Sequence, residues 1–216
     1  MYEVTVGICC HKQKKWLHRC LRSLGDQTFD KQLFEVIIVS DYPAEDLEEV
    51  CEAMKKDINI KLIKNKKTLG LPRSLNKILE TARGRYFVRV DSDDFVSKHF
   101  LYMLYTYLFM NRSIQAVACD YKKVNEVGVN LDNHCSIEKD FIACGVMFTY
   151  ESLCDLNFYN EDYQMREGHE LINRFKKKYK IEFLKVPLYR YRIHSKNRTK
   201  NKKNLKKYDS LLNKND

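Results

Sequence analysis

The sequence predicts an α/β protein built on a mostly parallel sheet with helices on both faces. Three observations carry that expectation. Apolar runs of strand length alternate with segments of helical periodicity four times over residues 3–111, the pattern of parallel strands joined by crossover helices. The second run, "FEVIIVSD", is almost continuously apolar, as a strand covered on both faces should be. The composition, 44% hydrophobic and 31% charged over 216 residues, suits one globular unit large enough for a proper core.

The elements follow in order. "EVTVGIC" (3–9) reads as the first strand, and the segment after it places Trp16, Leu17, Cys20, Leu21 and Leu24 at helical spacing. Residues 34–41 form the second strand. Residues 44–57 read as a helix, with acids in the first turn and lysines in the last, as the helix dipole favours. "INIKLIK" (58–64) alternates as a third strand. The helix over 71–84 has Pro72 near its start and stops at Gly84. "RYFVRV" (85–90) is the fourth strand, followed by a strongly apolar helix over 98–111. Beyond it the rhythm changes. Residues 113–130 suggest two short strands around a turn, 140–153 a strand and a short helix, 168–180 a helix, and 181–194 a strand, a proline break and a strand.

No apolar run approaches the ~18 residues of a membrane-spanning helix, and "MYEVTVGICCHK" lacks the basic-then-apolar order of a secretory leader. A cytoplasmic location is therefore expected. The eight cysteines contain no Cys-x-x-Cys pair, which points to reduced core residues and away from a zinc site or a disulfide framework. Net charge is +10, and Lys196–Asp216 hold eight Lys or Arg against two Asp, or +6 of that total. In this tail Leu205, Tyr208, Leu211 and Leu212 recur at helical spacing. Two readings stay open: a basic amphipathic helix resting on an anionic membrane surface, or an apolar stripe that packs back on the protein. Nucleic acid is not an expected partner, because the tail offers no stacking platform.

The fourth strand ends in "VDSDDF", with Asp91, Asp93 and Asp94 inside four positions. Three close carboxylates repel one another unless a cation, donors or water compensate. A helix or turn cap uses one of them, not three. In parallel sheets ligands sit outside the carboxyl ends of the strands, and Asp41 stands at that end of the second strand, so the four acids are expected to face one crevice.

Order and spacing of these motifs resemble a family 2 glycosyltransferase of the GT-A (Rossmann-like) fold over nearly all of residues 3–200. The resemblance rests on "RSLGDQTF", "FEVIIVSDY", "NKKTLGLPRSLNKILETARGRYFVRVDSDDF" and "LYRYRIHSKNRT". It implies a domain over 1–195, with a nucleotide-sugar half of about 1–112 and an acceptor half of about 113–195, followed by the tail 196–216. The implied activity is metal-dependent inverting transfer of a sugar, from a UDP-sugar first of all, to a glycan or lipid-linked acceptor. "DSDD" matches the family's DxD motif. Asp93 is then the direct ligand of Mn²⁺ or Mg²⁺, Asp91 a contact of ribose or metal, and Asp94 a second ligand or a capping acid. His194 would complete the metal shell. Asp41 would bind the nucleoside, since a carboxylate accepts from the imide N–H of uracil. Gly7 to Cys10 and His11 would line the nucleotide pocket, Arg73 and Asn76 would lie near the diphosphate, and Arg192 and Arg198 are alternative diphosphate clamps.

A general base is also required. Where the family has an Asp opening a late helix, this chain has Gly168. Glu170 is the first choice for base, Glu167 the second and Asp162 the third. Glu167 and Glu170 share a helix face. The alternatives are a nucleotide-sugar binding protein that has lost its base and a nucleotidyltransferase of related fold. The latter usually carries a Gly-rich phosphate loop, which is not found here.

Overall fold

The computed structural model describes residues 2–131 and 134–215. Its elements are β1 (Val4–Cys10), α1 (Lys14–Gly25), β2 (Phe34–Ser40), α2 (Glu48–Met54), β3 (Ile60–Lys64), α3 (Leu71–Thr81), β4 (Tyr86–Arg89), β5 (Phe95–Val96), α4 (Phe100–Met110), β6 (Ala116–Val124), β7 (Val146–Thr149), α5 (Tyr150–Asp155), α6 (Glu167–Lys176), β8 (Ile181–Arg192) and α7 (Lys202–Asn215). The strands form one sheet in the order β3-β2-β1-β4-β7-β6-β8-β5.

The first half follows the expected alternation. β1 pairs in parallel with both β2 and β4, and β2 with β3. Every residue of β2 is buried, which accounts for its almost continuously apolar sequence, and its buried Glu35 accepts from Thr5 and Arg83. α1 puts Leu17, Cys20, Leu21 and Leu24 fully inside, each such leucine contributing about 1.5–3 kcal/mol by burial. α3 packs on β1 and β2, where the Ile78 side chain and the Phe87 ring close over Gly7 and leave no room for a Cβ there.

The second half departs from the sequence reading in three places. The hairpin expected over 113–130 reduces to β6 and an isolated bridge between Val124 and Asn130, because both edges of β6 are already taken, by antiparallel β7 and parallel β8. The two strands expected around Pro187 are one strand, β8, whose register against β6 shifts between Cys119 and Tyr121. Pro187 pairs with Asp120 at this irregularity, the kind of position where a residue without an N–H is tolerated in a sheet. The two-residue strand β5, which pairs antiparallel with β8, is too short to show a period in sequence.

None of the eight cysteines forms a disulfide; five are buried and Cys154 is exposed. Among the described residues no helix is long and apolar enough to cross a membrane. The apolar side of α7 packs on Tyr163 and Met165 through Leu205, Tyr208, Leu211 and Leu212, so the stripe in the tail returns to the protein.

Candidate active site

A cavity of about 650 Å³ opens where the carboxyl ends of β1, β2 and β4 meet the start of α6, a size suited to a small ligand or cofactor. Cys9, His11, Asp41, Asp91, Asp93 and Glu167 line it. A more open depression of about 1060 Å³ around Tyr2, Asn59 and Arg83 lies by the amino-terminal ends of the strands, away from the acid cluster.

Asp41 follows the last residue of β2 and is 4% exposed. Its Oδ1 accepts from Asn65 Nδ2 at 2.8 Å and from the Leu69 N–H at 2.8 Å, and its Oδ2 accepts from the Gly70 N–H at 2.9 Å. The carboxylate thus fastens the 65–70 loop to the sheet. Gly70 has φ +90°, a conformation glycine adopts without steric cost. A carboxylate offers about four acceptor positions, so Asp41 keeps capacity on Oδ2 for one more donor from the crevice.

The three acids after β4 have separate environments. Asp91 receives the Arg89 guanidinium, Nε to Oδ1 at 2.6 Å and a terminal nitrogen to Oδ2 at 3.1 Å. Arg89 and Asp91, two apart along an extended chain, project from the same face. Asp93 Oδ2 accepts from Gln13 Nε2 at 2.8 Å and lies 2.8 Å from His194 Nε2. The Lys196 N–H donates to His194 Nδ1 at 3.2 Å, so Nε2 carries the proton that Asp93 receives. Oδ1 of Asp93 accepts no hydrogen bond among the described residues.

Asp94 turns into the core at 1% exposure, where its oxygens accept from the Arg192 N–H at 2.7 Å and the Tyr189 hydroxyl at 2.9 Å. Burial, followed by the charges of Asp93 and Asp91, pushes its carboxyl well above the ordinary range. The crowding of three acids is relieved in this way: one is buried and driven toward its neutral form, one is matched by arginine, and one keeps an oxygen for the crevice.

These groups fit a divalent cation at one point and not at another. Asp91, Asp94 and Cys144 bring potential ligand atoms within 4.8 Å of one another. However, burial and the neighbouring acids push the Cys144 thiol up, and Asp94 faces inward, so this trio is a poor cradle for a hard cation. Asp93, with its open oxygen, and Asp91 both line the crevice and offer the oxygen chemistry that Mg²⁺ and Mn²⁺ prefer. His194 is 3% exposed, and its ring centroid lies 4.2 Å from that of Trp16 at an interplanar angle of 39°. It reaches the crevice only through Asp93.

α6 supplies the far wall. Glu167 is 5% exposed, and its Oε1 accepts from an Arg89 terminal nitrogen at 2.8 Å. Its Oε2 accepts no hydrogen bond among the described residues, and the residue lines the crevice. Burial opposes the charge on Arg89, but Asp91 and Glu167 outweigh that and hold it firmly protonated. At Gly168 a Cβ would stand 2.2 Å from that of Ala143, so the position has no room for the acid that the family resemblance leads one to expect there. His169 also lines the crevice, and burial, with the Arg166 charge, brings its imidazole down to about 4, leaving it neutral near pH 7.

Gly7, Ile8, Cys10, Asp94 and His194 are not part of the crevice lining, and five further residues singled out in the sequence also lie apart from it. Both oxygens of Glu170 are held by Arg174, at 2.6 and 2.9 Å. Arg73 pairs with Glu161 on the surface at 2.9 Å. Asn76 exchanges hydrogen bonds with the Tyr159 backbone at 2.9 and 3.0 Å, which fixes the loop before α6. Arg192 is buried, donating through Nε to the Asp93 carbonyl at 2.5 Å and through a terminal nitrogen to the Glu126 carbonyl at 2.6 Å. Asp162 is exposed. Arg198 does line the crevice. Sequence reasoning passed over Gln13, Arg89, Arg166 and His169. The Arg89-x-Asp91 spacing within one strand was an available signal for the second of these.

The chain matches the family described as "Glycosyl transferase family 2" over residues 5–189. It is 32% identical over 115 residues to an uncharacterized glycosyltransferase of Haemophilus influenzae, covering 53% of this chain and 35% of that protein. It is 29% identical over 102 residues to the poly(ribitol-phosphate) beta-N-acetylglucosaminyltransferase TarS of Staphylococcus aureus, covering 47% of this chain and 18% of TarS. The chain thus spans about a third or less of the length of these relatives. Among solved structures, TarS 1–349 in complex with UDP-GlcNAc superposes with a TM-score of 0.77 at 19% identity, over 92% of this chain and 61% of that one. The mannosyltransferase PcManGT of Pyrobaculum calidifontis, in complex with GDP-Man and Mn²⁺, gives 0.73 at 15% identity, over 91% and 59%. At these identities the likeness is one of fold.

Proposed function

The chain belongs to glycosyl transferase family 2, and from that premise we propose that it moves a sugar, with inversion, from a nucleotide-sugar donor to a hydroxyl of a glycan or lipid-linked acceptor. The observation that carries the proposal is the meeting in one crevice of Asp41 after β2, Asp91 and Asp93 after β4, and Glu167 at the start of α6. TarS and PcManGT, whose folds the chain shares, are described in complex with UDP-GlcNAc and with GDP-Man and Mn²⁺.

In this reading the base of the nucleotide lies against Asp41, whose remaining acceptor position suits a ring N–H such as that of uracil. The diphosphate extends toward Asp93. Asp93 with Asp91 would hold a divalent cation, Mn²⁺ or Mg²⁺, which would supply neutralisation of the charge that grows on the departing diphosphate. Arg89 holds Asp91 in orientation through two hydrogen bonds. The acceptor hydroxyl enters from the α6 side and attacks the anomeric carbon as the bond to the diphosphate oxygen breaks. Its proton passes to Oε2 of Glu167, the role first assigned to Glu170 and moved here because Arg174 occupies both oxygens of that residue. The acceptor reading draws on the position of the crevice mouth, which is walled by Tyr121, Phe141, Met165, Tyr191 and Leu205. Aromatic and aliphatic faces of this kind suit the apolar faces of sugar rings.

A panel of UDP-, GDP- and CMP-sugars, each with and without Mn²⁺, tests the donor class by thermal unfolding. A ligand at a hundred times its dissociation constant adds about 2.7 kcal/mol, or roughly 5–10 °C for a chain of this size. A UDP-sugar with Mn²⁺ is expected to give the largest rise. A panel with no rise from any nucleotide sugar contradicts the proposal. A rise with no release of nucleoside diphosphate favours instead a binding protein that has lost its base at Gly168.

A further inference from the structure

α6 begins with an unusual residue. Arg166, its N-cap, has φ +64° and ψ +14°, a left-handed conformation that a long side chain holds only where its surroundings over-determine it. What holds it comes from the far end of the chain. Arg166 Nε donates to Asp209 Oδ1 on α7 at 2.7 Å, and a terminal nitrogen donates to Oδ2 at 3.4 Å. The other terminal nitrogen lies 3.1 Å from His169 Nε2. The Arg166 carbonyl in turn accepts the Glu170 N–H at 2.9 Å, the first hydrogen bond of α6. Beside this clamp Tyr208 packs on Tyr163 with ring centroids 6.3 Å apart. Arg166, Glu167, His169 and Leu205 of α7 all line the crevice.

We propose that α7 is a positioning element of the acceptor side of the crevice: Asp209, through Arg166, fixes the first turn of α6 and with it the direction in which Glu167 faces the acceptor. The Arg166–Asp209 pair is partly open to solvent, with side chains 27% and 44% exposed, and exposed pairs add little to global stability. Its effect is therefore local, on the geometry of one turn, where a misplacement of about 1 Å in a reacting group can cost up to a hundredfold in rate. The lowered basicity of His169, set by burial first and the Arg166 charge second, agrees with this arrangement.

The inference rests on Glu167 as the proton acceptor, and its test includes a readout independent of that role. Asp209→Ala and the near-isosteric Asp209→Asn are compared in the full chain by hydrogen exchange and by UDP or GDP release from the nucleotide sugars of the panel. Both variants are expected to exchange the amides of residues 170–172 about tenfold faster, with β1 to β4 unchanged. Release is expected to fall about tenfold with the donor KM unaltered, and Asp209→Glu should restore most of it. Wild-type exchange and release in both variants would overturn the proposal. So would an even loss of protection across the sheet together with donor binding, which is the signature of a merely structural helix. If Glu167→Gln proves fully active while Asp209→Asn still loosens α6 and slows release, it is the assignment of the base that fails and the positioning role stands.

Discussion

Asp93→Asn is expected to reduce sugar transfer by about 10²–10³-fold, the scale of removing one charge-stabilising group from an active site, while leaving the fold intact. The structure explains why the two effects separate. Gln13 and His194 both bond to the same oxygen, Oδ2, and a carboxamide oxygen placed there can accept both. The atom that changes is the crevice-facing Oδ1, which becomes an NH₂ group that repels a cation. The stability loss from weakening two bonds to a charged group is about 1–3 kcal/mol. Steady-state release of nucleoside diphosphate and urea unfolding measure the two quantities, and full activity at saturating donor and Mn²⁺ would remove Asp93 from the site.

Glu167→Gln should lower turnover by about 10² or more, the usual contribution of a general base, with little change in donor KM. The Gln carbonyl can still accept from Arg89, and Arg89 keeps Asp91 as a partner, so the variant loses basicity and not architecture. Glu170→Gln should do the reverse. It weakens the contact with Arg174, which also donates to the backbone carbonyls of Leu156 and Phe158, so the expected loss is about 1 kcal/mol of stability and less than a threefold change in turnover. The paired measurement is kcat and the urea midpoint for both variants. A slow Glu170→Gln beside a normal Glu167→Gln would return the role to Glu170.

The distribution of these roles shows where sequence reasoning reached and where it stopped. The parallel half was legible because each of its strands and helices carries its own period, and because the topology of such sheets brings loop residues 41, 91 and 93 to one crevice. Helix boundaries were less legible. The helix expected over 44–57 shrinks to Glu48–Met54 because the Asp46 side chain accepts the Glu48 N–H at 3.0 Å and starts the helix later. The second half was harder because the pairing of β6 with β8 depends on contacts some 65 residues apart in sequence, which no local period encodes.

The acids illustrate the same limit at the level of single side chains. Spacing placed Glu167 and Glu170 on one helix face, but it carried no information on which way each carboxylate turned. Arg174, four residues after Glu170, was a visible partner for it. In the same way "DSDD" announced a site without revealing that Asp94 belongs to the core. That distinction depends on Tyr189 and the backbone of Arg192, nearly a hundred residues later.

The central claim is a single displacement at the anomeric carbon, with the attacking hydroxyl deprotonated from the α6 side. Proton NMR of the sugar released when the protein turns over a nucleotide sugar, with water as the acceptor and spectra taken before mutarotation, tests it most directly. The account predicts that the first anomer to appear has the configuration opposite to that of the donor. Release of the same anomer as the donor would require two displacements and a covalent or ion-pair intermediate, and would contradict it.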